Sequence, residues 1–145
     1  MKTLNNNEEY YMRIALKEAK KALKKDEVPI GCIIVKDNQI ISKAYNKKEI
    51  NQIATYHAEI LAINKACKKL KTWHLEDCTL YTTVEPCLMC SGAIIQSRIK
   101  KVVYGTKNDA FGFINKVDNK IEIISNVLEK ECQEILSSFF KEKRI

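Results

Sequence analysis

Two short stretches constrain this chain more than anything else in it, His57-Ala58-Glu59 and Pro86-Cys87-Leu88-Met89-Cys90. Cys87 and Cys90 are three residues apart, so on a helix they share a face with Cβ atoms about 5–6 Å apart, and both sulfurs can reach one ion at about 2.3 Å. Pro86 suits a first helical position because it has no N–H to lose there. That puts both thiols in a first turn, where the helix dipole favours the thiolate. His57 also reads as a first-turn residue, with Thr55 as N-cap and Ile60, Ile63, Cys67 and Leu70 following at helical period. In mid-helix His57 and Glu59 would point about 200° apart; at a helix end both can lean toward the same ion. One imidazole and two thiolates leave the fourth position of a tetrahedral zinc ion to water, whose pKa zinc lowers to about 7. Glu59 is then the spare carboxylate beside it. A structural zinc closed by His74, Cys78, Cys87 and Cys90 is the competing grouping, and it leaves His57 and Glu59 without a use.

The rest of the chain says what scaffold such a site would sit on. Residues 1–7 are polar and expected to be flexible, with Asn7 as N-cap to a helix running to about Lys25, whose apolar face is Met12, Leu16, Ala19 and Leu23. Ile30–Val35 and Gln39–Tyr45 are β-rich runs joined by Lys36-Asp37-Asn38, a hairpin signal. The first is almost wholly apolar, as a strand covered on both faces would be. Residues 46–55 read as irregular polar chain leading to the His57 helix. Thr79–Val84 reads as a strand, and Cys87–Ser97 as a helix that starts at its carboxyl end, which is where open α/β sheets hold ligands. Lys101–Tyr104 is the next strand, and a strand, helix, strand order implies a parallel right-handed crossover. A helical turn is expected at Phe111–Ile114, a last strand at Ile121–Ile124, and a final amphipathic helix from Leu128 to Lys143 carrying Cys132, Ile135, Leu136, Phe139 and Phe140. The sum is an α/β protein, a three-layer α/β/α sandwich around five strands, in one domain over residues 1–145.

Composition excludes some classes and favours others. No basic-then-apolar leader and no uncharged apolar run near 18 residues is present, so neither export nor a membrane span is expected, and the cytoplasm is the expected location. In a reducing compartment Cys32, Cys67, Cys78 and Cys132 read as packing thiols rather than disulfide partners. The net charge of +7 rests mainly on lysine, whose point charge holds phosphate without geometric selectivity. A polyanion is a reasonable partner.

The two stretches resemble the signature of the zinc-dependent cytidine/deoxycytidylate deaminase superfamily, H-x-E followed by P-C-x-x-C. The likeness extends through Val28-Pro29-Ile30-Gly31, Asn46, Leu80 to Ala93, Ser97-Arg98-Ile99 and Val102-Val103-Tyr104-Gly105. Over about residues 8 to 144 the chain is similar to bacterial tRNA-specific adenosine deaminases. The resemblance implies a cytidine deaminase-like fold with a mixed sheet, a homodimer, and one zinc per subunit held by His57, Cys87 and Cys90. It further implies hydrolytic conversion of adenosine to inosine at the wobble position of a tRNA anticodon, an arginine tRNA stem-loop being the expected substrate. Zinc-activated water would attack C6 while Glu59 shuttles the protons. Asn46, Val28, Pro29, Ala58, Val84 and Pro86 would touch the substrate, and Asn108, Phe140, Lys141 and Arg144 the RNA. A deaminase of a free nucleobase or nucleoside, of the guanine or cytosine type, is the alternative. Three departures stand out: Ile53-Ala54-Thr55-Tyr56 replaces the usual Asp-Pro-Thr-Ala, the loop after Gly105 is short, and Asn108 stands where an acid is common. Loss of that negative charge should ease the approach of phosphate, DNA included.

Overall fold

The computed structural model describes residues 6–117 and 120–143. In chain order the elements are α1 (Asn6–Lys24), β1 (Gly31–Lys36), β2 (Gln39–Tyr45), α2 (Lys48–Asn51), α3 (Ala58–Leu70), β3 (Cys78–Val84), α4 (Leu88–Gln96), β4 (Lys101–Thr106), a 3-10 turn (Ile114–Lys116), β5 (Glu122–Ile124) and α5 (Glu129–Glu142). The strands form one mixed sheet in the order β2-β1-β3-β4-β5. β1 runs antiparallel to β2 and β3, whereas β3, β4 and β5 are mutually parallel. The expected parallel crossover through α4 is therefore present. Asp37 and Asn38 turn the first hairpin with φ of 50° and 61°, both positive as a tight two-residue turn requires.

Side-chain alternation along the strands sorts the core into two layers, as a period of two must. Cys32, Ile34, Leu80, Val102 and Tyr104 face α3 and α4, where Ala58, Ala62, Ile63, Ala66 and Ile94 meet them. Ile33, Val35, Tyr81 and Val103 face the other way, onto Tyr11, Met12, Ala15 and Leu16 of α1 and Cys132 of α5. This is the expected three-layer sandwich, and β1 is buried on both faces as its composition predicts. α1 lies almost against the β1 backbone: a Cβ on Gly31 would stand 2.0 Å from the Ala15 carbonyl oxygen. Cys32, Cys78 and Cys132 are buried free thiols and Cys67 is half-buried, in line with a packing role.

Several boundaries differ from expectation. α1 already includes Asn6, so Asn7 is inside the helix instead of capping it, and residues 6 and 7 belong to a regular element. The reason is Glu8 in the first turn, a buried carboxylate that accepts the Tyr81 hydroxyl at 2.8 Å and pairs with Lys101 at 3.2 Å, tying the start of α1 to the sheet. Residues 1–5 lie outside the described residues. The stretch expected to be irregular contains α2, nucleated by two side chains: Asn46 Oδ1 accepts from the Lys48 N–H at 3.1 Å, and the buried Glu27 carboxylate accepts from the Ile50 N–H. The turn expected at Phe111–Ile114 falls at Ile114–Lys116, because Gly112 is paired instead with Cys87 in an antiparallel bridge.

Candidate metal and substrate site

Both signature stretches sit at helix starts, each two positions earlier in the helix than the sequence suggests. His57 is the N-cap of α3, extended at φ −74° and ψ 153°, and its carbonyl accepts the first helical hydrogen bond from Leu61 at 3.0 Å. Thr55 is thus not the cap; its carbonyl accepts the His57 N–H at 2.8 Å. Cys87 is the N-cap of α4, at φ −76° and ψ −179°. Pro86 lies before the helix instead of in its first turn, since the Pro86 carbonyl accepts the Phe113 N–H at 2.9 Å and holds this stretch extended. Cys90 occupies the third helical position and Glu59 the second. An N-cap residue has left helical geometry, so its side chain is free to point past the helix end. That is how His57, Cys87 and Cys90 meet although they come from two helices.

The donor atoms converge. His57 Nδ1 lies 3.7 Å from Cys87 Sγ and 3.6 Å from Cys90 Sγ, and all three donors fall within 4.8 Å of one another. A zinc ion with ordinary bonds to nitrogen and sulfur at tetrahedral angles would hold those atoms about 3.6 Å apart. The set therefore fits zinc, with three protein ligands and one position open. His74 does not join it: exposed, it pairs with Glu76 at 3.5 Å and stacks on Trp73, so the four-coordinate alternative is not assembled.

Electrostatics follow the same arrangement. The Cys90 thiol and, more weakly, His57 hold the Cys87 thiol down to about 3, so it is the thiolate of the group. Cys90 is pushed well above the ordinary thiol range by that same contact with Cys87 and by burial. His57 is raised, chiefly by Cys87. Two helix N-termini pointing at one spot further favour negative charge on sulfur. Glu59 is only 4% exposed, and burial pushes its carboxyl up to about 7, against the lowering effect of hydrogen bonds and of His57.

A cavity of about 410 Å³ opens over His57, Glu59 and Cys87, with Ile30, Glu85, Leu88, Met89, Asn108 and Phe111 completing its wall. That is within the range of small-ligand sites. Of the residues expected to contact substrate or RNA, Asn108 lines it directly. Val28, Pro29, Asn46, Ala58, Val84 and Pro86 are not in the wall but adjoin it: Asn46 N–H donates to the Ile30 carbonyl at 3.1 Å and Asn46 Nδ2 approaches the Val28 carbonyl at 3.5 Å. Phe140 and Lys141 are exposed on α5, where they line a separate surface cleft with Leu136 and Ser137. Phe139 is core. Arg144 lies outside the described residues.

Sequence reasoning passed over Glu85 and Phe111. Glu85 is a buried carboxylate that accepts from the Asn108 N–H and from Asn115 Nδ2, each at 3.3 Å. It thereby ties the loop after β4 to the start of α4. A charged residue directly after a buried strand, ahead of Pro86, was the signal that could have found it.

The family model described as MafB19-like deaminase matches residues 6–144. The chain is 47% identical to the tRNA-specific adenosine deaminase of Bacillus subtilis (strain 168), over 94% of this chain and 91% of that protein. A solved structure from work on A-to-I editing by tRNA:A34 deaminases at the wobble position of transfer RNA superposes with a TM-score of 0.84 at 34% identity, covering 88% of this chain and 99% of that one. A guanine deaminase from Nitrosomonas europaea shares the fold at a TM-score of 0.80, with 24% identity over 90% of this chain and 83% of that one.

Proposed function

This chain belongs to the MafB19-like deaminase family, and from that premise we propose that it converts adenosine to inosine at the wobble position of a tRNA anticodon. The net reaction adds water at C6 of the base and releases ammonia. One observation carries the chemical part of this reading: three donors within 4.8 Å of one another, two of which, His57 and Cys87, open with the buried spare carboxylate of Glu59 into one cavity. We assign the ligands to His57, Cys87 and Cys90. When bound there, zinc supplies Lewis acidity that brings the pKa of water to about 7.

The remaining work falls to the chain's own side chains. Glu59 is the proton carrier. Pushed up to about 7 by burial, its carboxyl can take and return protons without a large driving force either way: one from the attacking water goes to N1 of the ring, and the second, from the new C6 hydroxyl, goes to the departing nitrogen. Ile30, Leu88 and Met89 give the cavity an apolar stretch of wall, which suits a base extruded from its stack. Asn46, Val28, Pro29, Ala58, Val84 and Pro86 are the proposed substrate contacts, supported by their position next to wall residues. Asn108, Phe140, Lys141 and Arg144 are the proposed contacts to the RNA, with a homodimer, an arginine tRNA and a cytoplasmic site of action as the accompanying proposals. No helix among the described residues is long and apolar enough to cross a membrane.

The test is direct. An anticodon stem-loop of an arginine tRNA, incubated with the purified zinc-loaded protein, should accumulate inosine, while free guanine and cytosine release no ammonia. Ammonia from the free bases with no inosine in the stem-loop would replace this reading with the free-base alternative.

A further inference from the structure

The described residues expose seven large hydrophobic side chains, and only Leu88 and Phe111 among them also line the catalytic cavity. Phe111 is the most exposed of the seven at 74%, and Leu88 is next at 62%. Neither contributes to the two core layers. An aromatic ring left in water at the rim of a site is not explained by folding.

The loop that carries Phe111 is braced rather than loose. The Phe111 N–H donates to Asn108 Oδ1 at 3.0 Å and the Gly112 N–H to the Asn108 carbonyl at 2.8 Å. Glu85 accepts from Asn108 on one oxygen and from Asn115 on the other, and Asn115 Nδ2 also meets the Tyr104 hydroxyl at 2.8 Å. Glycine fits at 112 because a Cβ there would stand 2.6 Å from the Asn108 carbonyl oxygen. The ring is thus presented from a backbone fixed before any ligand arrives, which lowers the ordering cost of using it.

We propose that Phe111, with Leu88 on the same rim, is a stacking platform for the nucleobase adjoining the one that enters the cavity. The proposal rests on the reading of the substrate as a single-stranded RNA loop. Every base offers a π-face, and single-stranded recognition commonly relies on such aromatic surfaces. A base leaving its stack strands its neighbour, and the ring takes over that lost contact. Phe111 would then set the affinity for the flanking nucleotide while taking no part in proton transfer.

The experiment compares wild type, Phe111→Ala and Phe111→Tyr on three anticodon stem-loops: intact, abasic on the 5′ side of the target adenosine, and abasic on its 3′ side. Fluorescence anisotropy gives Kd and inosine formation gives kcat and KM. Phe111→Ala should weaken binding of the intact loop by about 5- to 150-fold, with the loss falling on KM more than on kcat. Phe111→Tyr should restore it. One abasic loop should bind wild type as weakly as the intact loop binds Phe111→Ala, and should show no further loss in that variant. Unchanged binding by Phe111→Ala, or losses that simply multiply for both abasic loops, would overturn the platform. Because anisotropy needs no turnover, a protein that binds the loop but forms no inosine would fail the proposed reaction and still decide the stacking question.

Discussion

Glu59 and His57 stand two residues apart and differ in fate because one is a helix cap and the other is not. His57 leans out to the ligand cluster with its ring half-buried, whereas Glu59 is enclosed and kept near 7 by burial. Glu59→Ala should therefore retain zinc and lose turnover by roughly 10²–10⁴-fold, the usual worth of general acid–base help. Metal analysis beside a rate assay reads both, and a variant turning over at the wild-type rate would remove Glu59 from the chemistry. His57→Ala should lose the metal while His74→Ala keeps it, since His74 pairs with Glu76 well away from the donor cluster. A reversal of those two metal contents would reassign the ligand. Among the remaining thiols, burial pushes Cys132 up to about 12. At pH 8 it should resist alkylation in the native protein and react once urea unfolds the chain; labelling in the native state would contradict its enclosure.

At the scale of elements, the site depends on two helix starts being held in place by the sheet below them. α3 and α4 pack on one face through small and branched residues, and α1 closes the other at a distance that only glycine at 31 permits. Gly31→Ala should shift the urea midpoint downward, by about 1–3 kcal/mol of stability, through overpacking of β1 against α1. The slope of the transition should stay the same, because the area exposed on unfolding does not change. A midpoint equal to wild type would mean that α1 can back away without penalty. The crossover from β3 through α4 to β4 was readable from the order of apolar runs. α2 was not, because its four residues have no apolar periodicity and owe their turn to Asn46 just before it and to Glu27 reaching in from a distant part of the chain.

Across the whole molecule, the charge of +7 bears on the RNA more than on the fold. Binding of the anticodon stem-loop should weaken steadily as salt rises from 50 to 200 mM, in proportion to the phosphates neutralised. If Lys141 is one of the cations involved, Lys141→Ala should flatten the log–log slope by about 0.7, the value for one single-strand phosphate contact. A slope that Lys141→Ala leaves unchanged would take the end of α5 out of the RNA path.

The candidate donor types and their spacing were legible in the residues alone, because what His57 with its neighbour Glu59 and the Cys87–Cys90 pair can present at a helix start is a local matter. So was the layered α/β order, which follows from apolar periodicity. Only the folded chain decided that both His57 and Cys87 are caps, that Glu85 fastens the loop after β4, and that Phe111 stands exposed at the mouth of the cavity. The Pro86–Phe113 and Glu85–Asn108 hydrogen bonds join segments far apart in sequence, and these contacts, like the exact helix start and the exposure of one ring, leave no periodic trace in the order of the residues.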